Sequence, residues 1–263
     1  MTGGGLSTGW GSMKATAGTK ATALAVLLCF IAAGDGFAAD LPVGPPAAVN
    51  YTPSSLGYSW GGFYVGLNAG YGFGKSSWSG LVPGVVSAAT GNFNVNGGLA
   101  GGTIGINYQA QSFVAGFEAD ADWTGFSGSN STDPYCVLMS GSCQTKQPWL
   151  ATVRGRFGFA IDRLLIFATA GGAFGEIRAG LNPPGVYDTT NGVGWTAGAG
   201  LEVGITDNWT AKVEYLYVDL GNGSCNMNCG SVPNAFGTLS PVPITIPLTE
   251  NLVRGGINYR FAF

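Results

Sequence analysis

Histidine is absent from the 263 residues of this chain. A Ser-His-Asp hydrolase, a Cys-His nucleophile and a His-bound zinc or haem iron all require an imidazole, so none of these chemistries is open to it. Charge is also scarce, at 10% of residues, against about 25% in ordinary soluble domains. With 11 Lys and Arg against 14 Asp and Glu, there is no basic surface for nucleic acid. Long apolar runs are missing too. The uncharged stretch Ala21–Ala33 (ATALAVLLCFIAA) falls short of the roughly 20 residues a spanning helix needs.

That stretch fits the apolar region of a secretory signal better than a buried helix. Lys14 and Lys20 precede it, which makes Met13 a plausible start, and Gly36 and Ala38 supply the small residues for cleavage after Ala38. Cys29 follows Leu27 and Leu28, not the small residue that precedes a lipid-anchored cysteine. Residues 1–38 are therefore expected to be an N-terminal extension and signal, 39–59 a Pro- and Ser-rich periplasmic linker, and 60–263 the folded domain.

What is abundant points to sheet. Glycine occurs 46 times and aromatics make up 12% of the chain. From residue 61 the sequence alternates with period two in eight stretches, about 61–73, 97–108, 112–123, 148–160, 164–178, 193–205, 208–219 and 249–263. Each has about the 9–11 residues of a tilted membrane strand, or somewhat more. Short connections (QAQ, IDR, TDN) alternate with long ones at about 74–96, 124–147, 179–192 and 220–248. The expected fold is all-β, an eight-stranded antiparallel up-and-down transmembrane barrel with short periplasmic turns and four long extracellular loops.

The polarity of the strands decides between water and lipid. One set of faces collects Glu118, Asp120, Asp122, Glu176, Glu202 and Glu214, with Arg154, Arg156, Arg178, Lys212, Arg254 and Arg260. Acids and bases in equal number can pair in a narrow interior. The opposite faces carry almost no charge. A soluble monomer rarely exposes an apolar patch beyond a few hundred Å², whereas lipid demands such a belt. Aromatics gather at both strand ends, as interfacial girdles do. Phe63, Tyr108, Phe113, Phe159, Trp209, Phe261 and Phe263 fall at the turn rim. Tyr71, Phe73, Trp123, Trp149, Trp195 and Tyr217 fall at the loop rim.

Four cysteines follow the signal: Cys136, Cys143, Cys225 and Cys229. An even number in an exported chain suggests disulfides. Local pairing closes two small rings, and the spacing leaves cross-loop bonds and a tetrathiolate zinc site open. An acid–base pair such as Glu118 and Asp120 is the one enzymatic reading. Cross-strand pairing with Arg154 and Arg156 accounts for the same residues without chemistry. The chain is therefore read as a non-enzyme with no cofactor or metal. A soluble ligand-binding barrel would want an apolar interior instead.

The Ala39-Asp40-Leu41-Pro42 start resembles that of alphaproteobacterial outer-membrane immunogenic proteins of the porin-like β-barrel family. So do the block from Trp60 to Gly72 (WGGFYVGLNAGYG) and the closing Asn258–Phe263 (NYRFAF). The resemblance implies an outer-membrane, surface-exposed barrel among lipid and lipopolysaccharide, with a structural and surface-interaction role. It makes Tyr259, Phe261 and Phe263 a C-terminal signal for the outer-membrane assembly machinery. Some relatives are linked to haem binding, for which this chain offers only Tyr as an iron ligand. Eight strands leave an interior that side chains can fill, so a lumen plugged by paired charges is expected. A narrow channel for small solutes is the alternative.

Overall fold

The computed structural model describes residues 57–82, 85–138, 141–226, 229, 231–233, 239–241 and 243–261. The expected signal, the linker up to residue 56 and Phe263 lie outside them. The strands are β1 (Gly62–Ser76), β2 (Ser79–Val82), β3 (Val85–Ala89), β4 (Phe93–Ala110), β5 (Phe113–Asn130), β6 (Ser142–Ile161), β7 (Leu164–Asn182), β8 (Val186–Gly204), β9 (Trp209–Cys225), β10 (Ser231–Pro233), β11 (Leu239–Pro241) and β12 (Ile244–Phe261). One short helix, α1 (Pro134–Leu138), precedes β6.

Eight long strands pair antiparallel in the order β1-β4-β5-β6-β7-β8-β9-β12, and β1 pairs back onto β12. The seam runs without a break from Phe63 opposite Phe261 to Ser76 opposite Leu248. Closure matters because an unpaired N–H or C=O in hydrocarbon costs several kcal/mol, and a barrel has no edge to leave unpaired. The short connections follow the expected spacing: β4–β5, β6–β7 and β8–β9 turn at residues 111–112, 162–163 and 205–208. Gln111 (φ 56°) and Asp162 (φ 50°) take the left-handed conformation that these tight turns require.

The strands are longer than expected, at 15 to 20 residues. At about 3.4 Å per residue and a tilt of about 40°, an 18-residue strand rises roughly 45 Å, well beyond an apolar band about 25 Å tall. The barrel therefore continues as sheet past the membrane. The expected loop at 179–192 is in fact a β7–β8 hairpin that turns at Pro183–Gly185, with Leu181 opposite Val186. Its Pro-Pro-Gly stops the sheet only at the tip. Parts of the other three long connections are also sheet. The β2–β3 hairpin fills one, β2 pairing with the start of β12, and β10–β11 fills another.

Burial alternates along each strand, and what it buries changes with height. On β12 the inward residues near the loop rim are Ile244, Ile246 and Leu248, and farther down they are Arg254, Asn258 and Arg260. The outward ones run the other way, from Thr245, Pro247, Thr249 and Asn251 to Val253, Ile257, Tyr259 and Phe261. Strand β4 repeats the exchange: Phe93, Val95 and Leu99 give way to Thr103 and Asn107 inside, while Asn94 and Asn96 give way to Ile104, Ile106 and Tyr108 outside. The lower wall is arranged for lipid and the upper wall for water. The described members of both expected girdles stand on the outer face, with Tyr108 and Trp123, at opposite ends of the band, the most exposed at 75% and 78%.

Placing Arg at Phe117, an outward position midway along β5, is expected to lower stability by about 2–4 kcal/mol, and placing it at outward Ser129 above the band by less than about 1 kcal/mol. Urea titration of the folded barrel in lipid vesicles reads both.

Candidate functional site

Among the described residues, ionisable groups concentrate in the lumen, which is built in three layers. In the middle, Glu118, Asp120 and Asp122 project from β5, Arg154 and Arg156 from β6, Glu202 from β8, Lys212 and Glu214 from β9, and Arg254 from β12, all of them buried. Arg154 spans three carboxylates, reaching Glu118 at 2.5 Å, Asp120 at 2.6 Å and Glu214 at 2.9 Å. Arg254 does the same with Glu214 at 2.7 Å and Asp120 and Asp122 at 2.9 Å. Lys212 sits 2.8 Å from Glu118 and 3.4 Å from Glu214. Arg156 pairs with Glu202 and stacks on Phe167, 3.8 Å from its ring centroid.

Neutral groups complete the network. Thr103 and Thr152 each donate to Asp120 at 2.8 Å, and the Tyr64 hydroxyl donates to Glu118 at 2.8 Å. Thr210 and Asn258 donate to Glu202 at 2.5 and 2.9 Å. Lumenal glycines make room for these side chains. A Cβ on Gly101 would stand 2.1 Å from the Asp122 carboxylate, and one on Gly66 would stand 2.0 Å from the Asn258 amide.

Apolar layers close the lumen above and below. At the loop rim Trp78, Phe93, Val95, Leu99, Phe126, Leu150 and their neighbours form a continuous buried cluster. Bonds Cys136–Cys143 and Cys225–Cys229, both the local pairings, lie inside it. The Tyr135 hydroxyl of α1 donates to the Cys229 carbonyl at 2.8 Å, and burial pushes this phenol above its ordinary pKa, so it stays a donor. Glu250 is buried among these residues and faces the side-chain amide of Gln147. At the turn rim Trp60 fills the mouth with Val114, Ala160, Leu165 and Phe167. Its indole donates to the Asp162 carbonyl at 3.0 Å and its backbone N–H to Gln109 at 2.5 Å. Tyr58 and Ser59, expected to belong to an extended linker, are part of this stopper. The ring of Tyr58 packs 4.9 Å from that of Trp60.

Three of the expected interior charges behave differently. Glu176 and Arg178 lie on the outer face of β7 and pair with each other, with Trp149 donating to Glu176 at 3.2 Å. The apolar run Leu164–Phe167 hides the parity of this strand: Leu165 and Phe167 face inward, so even-numbered residues point outward. Arg260 is buried, but it donates to the carbonyls of Ser59 and Gly61 and lies over the rings of Tyr58 and Trp60. It anchors the stopper and, among the described residues, pairs with no acid. Sequence reasoning missed Tyr64, Trp60 and Glu250. The parity of β1 and β12 marks Tyr64 and Glu250 as inward, but only the fold reveals Trp60 turning into the mouth.

Replacing Arg154 by Leu takes one cation from Glu118, Asp120 and Glu214, leaving them to share Lys212 and Arg254, and is expected to cost about 3–5 kcal/mol. Arg178→Gln, on the exposed pair, is expected to cost about 0–1 kcal/mol. Urea unfolding midpoints in vesicles separate the two.

Comparison with known proteins agrees with this architecture. The profile of the outer membrane protein beta-barrel domain family matches residues 21–237. The 31 kDa outer-membrane immunogenic protein of Brucella melitensis biotype 1 is 34% identical over 250 residues, covering 90% of this chain and 99% of the relative. The 25 kDa outer-membrane immunogenic protein of Brucella abortus biovar 1 is 32% identical over 240 residues, covering 90% and 95%. Among solved structures, OprG from Pseudomonas aeruginosa shares the fold, with a TM-score of 0.55 at 12% identity, covering 77% of this chain and 97% of that one. A closed lipid-facing barrel, a family profile over most of the chain and these relatives agree: the chain belongs to the outer-membrane β-barrel domain family and resides in the bacterial outer membrane.

Proposed function

We propose that this protein is a closed outer-membrane barrel that works through its surface and not through its lumen. The observation that carries the reading is the three-layered filling of the interior, with Trp60 at one mouth, the ion-pair network in the middle and the disulfide-pinned apolar cluster at the other mouth. A solute passing through would have to part Arg154 from Glu118, Asp120 and Glu214, then displace a buried apolar layer. Breaking such buried pairs costs several kcal/mol each.

In this reading the long-connection rim faces the cell exterior and the short turns face the periplasm, the layout usual for such barrels. The signal and the linker deliver the chain to the periplasm. Tyr259, Phe261 and Phe263 are read by the assembly machinery. The rim of sheet beyond the membrane, bearing Lys146, Arg178, Thr189 and Asn191 on its outer side, is what a host or neighbouring cell meets. The immunogenic naming of the Brucella relatives is in keeping with an exposed rim.

Planar-bilayer recordings of the refolded full chain are expected to show no discrete conductance steps. Regular steps that survive in Arg154→Leu would point to a path around the network and would count for a channel. A peptide epitope inserted after Pro184 is expected to be bound by antibody on intact cells. Binding only after permeabilisation would invert the assigned orientation.

A further inference from the structure

A recess of about 420 Å³ opens on the outer wall where β4, β1 and β12 meet near the loop rim, lined by Phe73, Lys75, Asn94, Asn96, Thr249 and Asn251. The register places these side chains on one outward patch. Lys75 stands between Asn94 and Thr249, and Phe73 one step below stands between Asn96 and Asn251. The pocket is amphipathic, with an ammonium and three carboxamides over an aromatic floor. It sits immediately above the loop-rim girdle formed here by Phe73 and Tyr71, which is the height of lipid headgroups.

Two features argue that the recess is built to bind. First, Lys75 is the only cation among the described residues with no carboxylate, carbonyl or ring beside it. Every other one is engaged: Arg178 with Glu176, Arg163 with Asp207, Lys146 with the Tyr187 ring 4.5 Å away, Arg260 with carbonyls, and the rest in the lumenal network. Asp219 faces outward across Thr249, but it accepts from the Gly221 N–H at 2.8 Å. Second, Asn251 is oriented. Its Oδ1 accepts from the Tyr215 hydroxyl at 2.5 Å and its amide donates to the Phe73 carbonyl at 3.4 Å. Asn94 and Asn96 are exposed beside it and line the same recess.

The geometry points to a binding site for the phosphorylated sugar headgroup of an outer-leaflet glycolipid. The phosphate is held by Lys75 as a point charge, the sugar hydroxyls by the Asn94, Asn96 and Asn251 amides, and the sugar face by Phe73. The assignment rests on the orientation proposed above, in which this rim meets the outer leaflet. It commits to a lipid because the recess lies on the outer wall directly above the apolar belt, so that acyl chains would run down the belt from a headgroup held here.

The test uses the refolded full chain in vesicles containing a bisphosphorylated, acylated glucosamine disaccharide lipid, followed by gentle detergent extraction and native mass spectrometry of retained lipid. Lys75→Gln is expected to reduce retention about tenfold or more, the worth of one hydrogen bond to a charged group. Lys146→Gln, which removes the same charge elsewhere on the rim, should leave it unchanged, and so should the unheated gel mobility of both variants. Dephosphorylating the lipid should match the loss in Lys75→Gln. Equal retention in wild type and Lys75→Gln, or equal loss in both variants, overturns the site. Release of lipid by millimolar inorganic phosphate would make it a soluble-phosphate site and overturn the lipid assignment. Epitope accessibility on cells reads the orientation independently, so a failure of that premise is distinguishable from a failure of the recess.

Discussion

The rest of the structure depends on the pairing of β1 with β12. Once that ladder is made, every backbone polar group in the lipid-spanning wall has a partner within the wall, and hydrocarbon can touch the protein anywhere without meeting a bare N–H or C=O. Closure at eight strands also fixes the bore, and a bore this narrow must be filled by side chains. The ion-pair network follows from that. With the exterior committed to lipid, the lumen is where this chain places its buried cations, and there Arg154, Arg254 and Lys212 each meet two or more acids, whereas Arg260 is held by carbonyls and rings. Such networks are weak evidence for stability, because the desolvation they incur offsets most of their attraction. They tie strands together here, since Arg154 and Arg254 each bind carboxylates from both β5 and β9.

A second constraint acts along the strand axis. The same strands leave the membrane and continue as sheet into water, so one alternating pattern must serve two solvents. Strand β12 solves this by exchanging the polarity of its faces between Leu252 and Arg254, and β4 does so between Leu99 and Thr103. Above the exchange the molecule is an ordinary soluble barrel with an apolar core and two disulfides. Below it, the arrangement is inverted. The two halves share one continuous set of paired strands and no packing logic.

This explains what could be read from the sequence. Eight strands, the short turns, the outward aromatics and most of the inward charges were legible, because within the lipid band polarity and parity agree. They were legible on β5, for instance, where Phe113, Phe117 and Trp123 alternate with Glu118, Asp120 and Asp122. Where polarity reverses, outward apolar residues cease, and 179–192 lacks the pattern of a lipid-facing strand although it is sheet. Strand β7 defeated the parity argument differently, because consecutive apolar residues from Leu164 to Phe167 carry no phase, and so Glu176 and Arg178 were assigned to the wrong face. Trp60 belongs to a third class. Its burial comes from a chain segment crossing a mouth, a contact between residues about a hundred positions apart that no local pattern encodes.

The extension of sheet beyond the bilayer also decides what kind of molecule can recognise this rim. Neighbours on its outer side, such as Ser127, Lys146 and Arg178, come from three different strands and are held in register by backbone pairing. An antibody or receptor that grips them reads a discontinuous mosaic. Short synthetic peptides copied from any one stretch would lack the geometry, and boiling the protein would erase the signal as surely as cutting it.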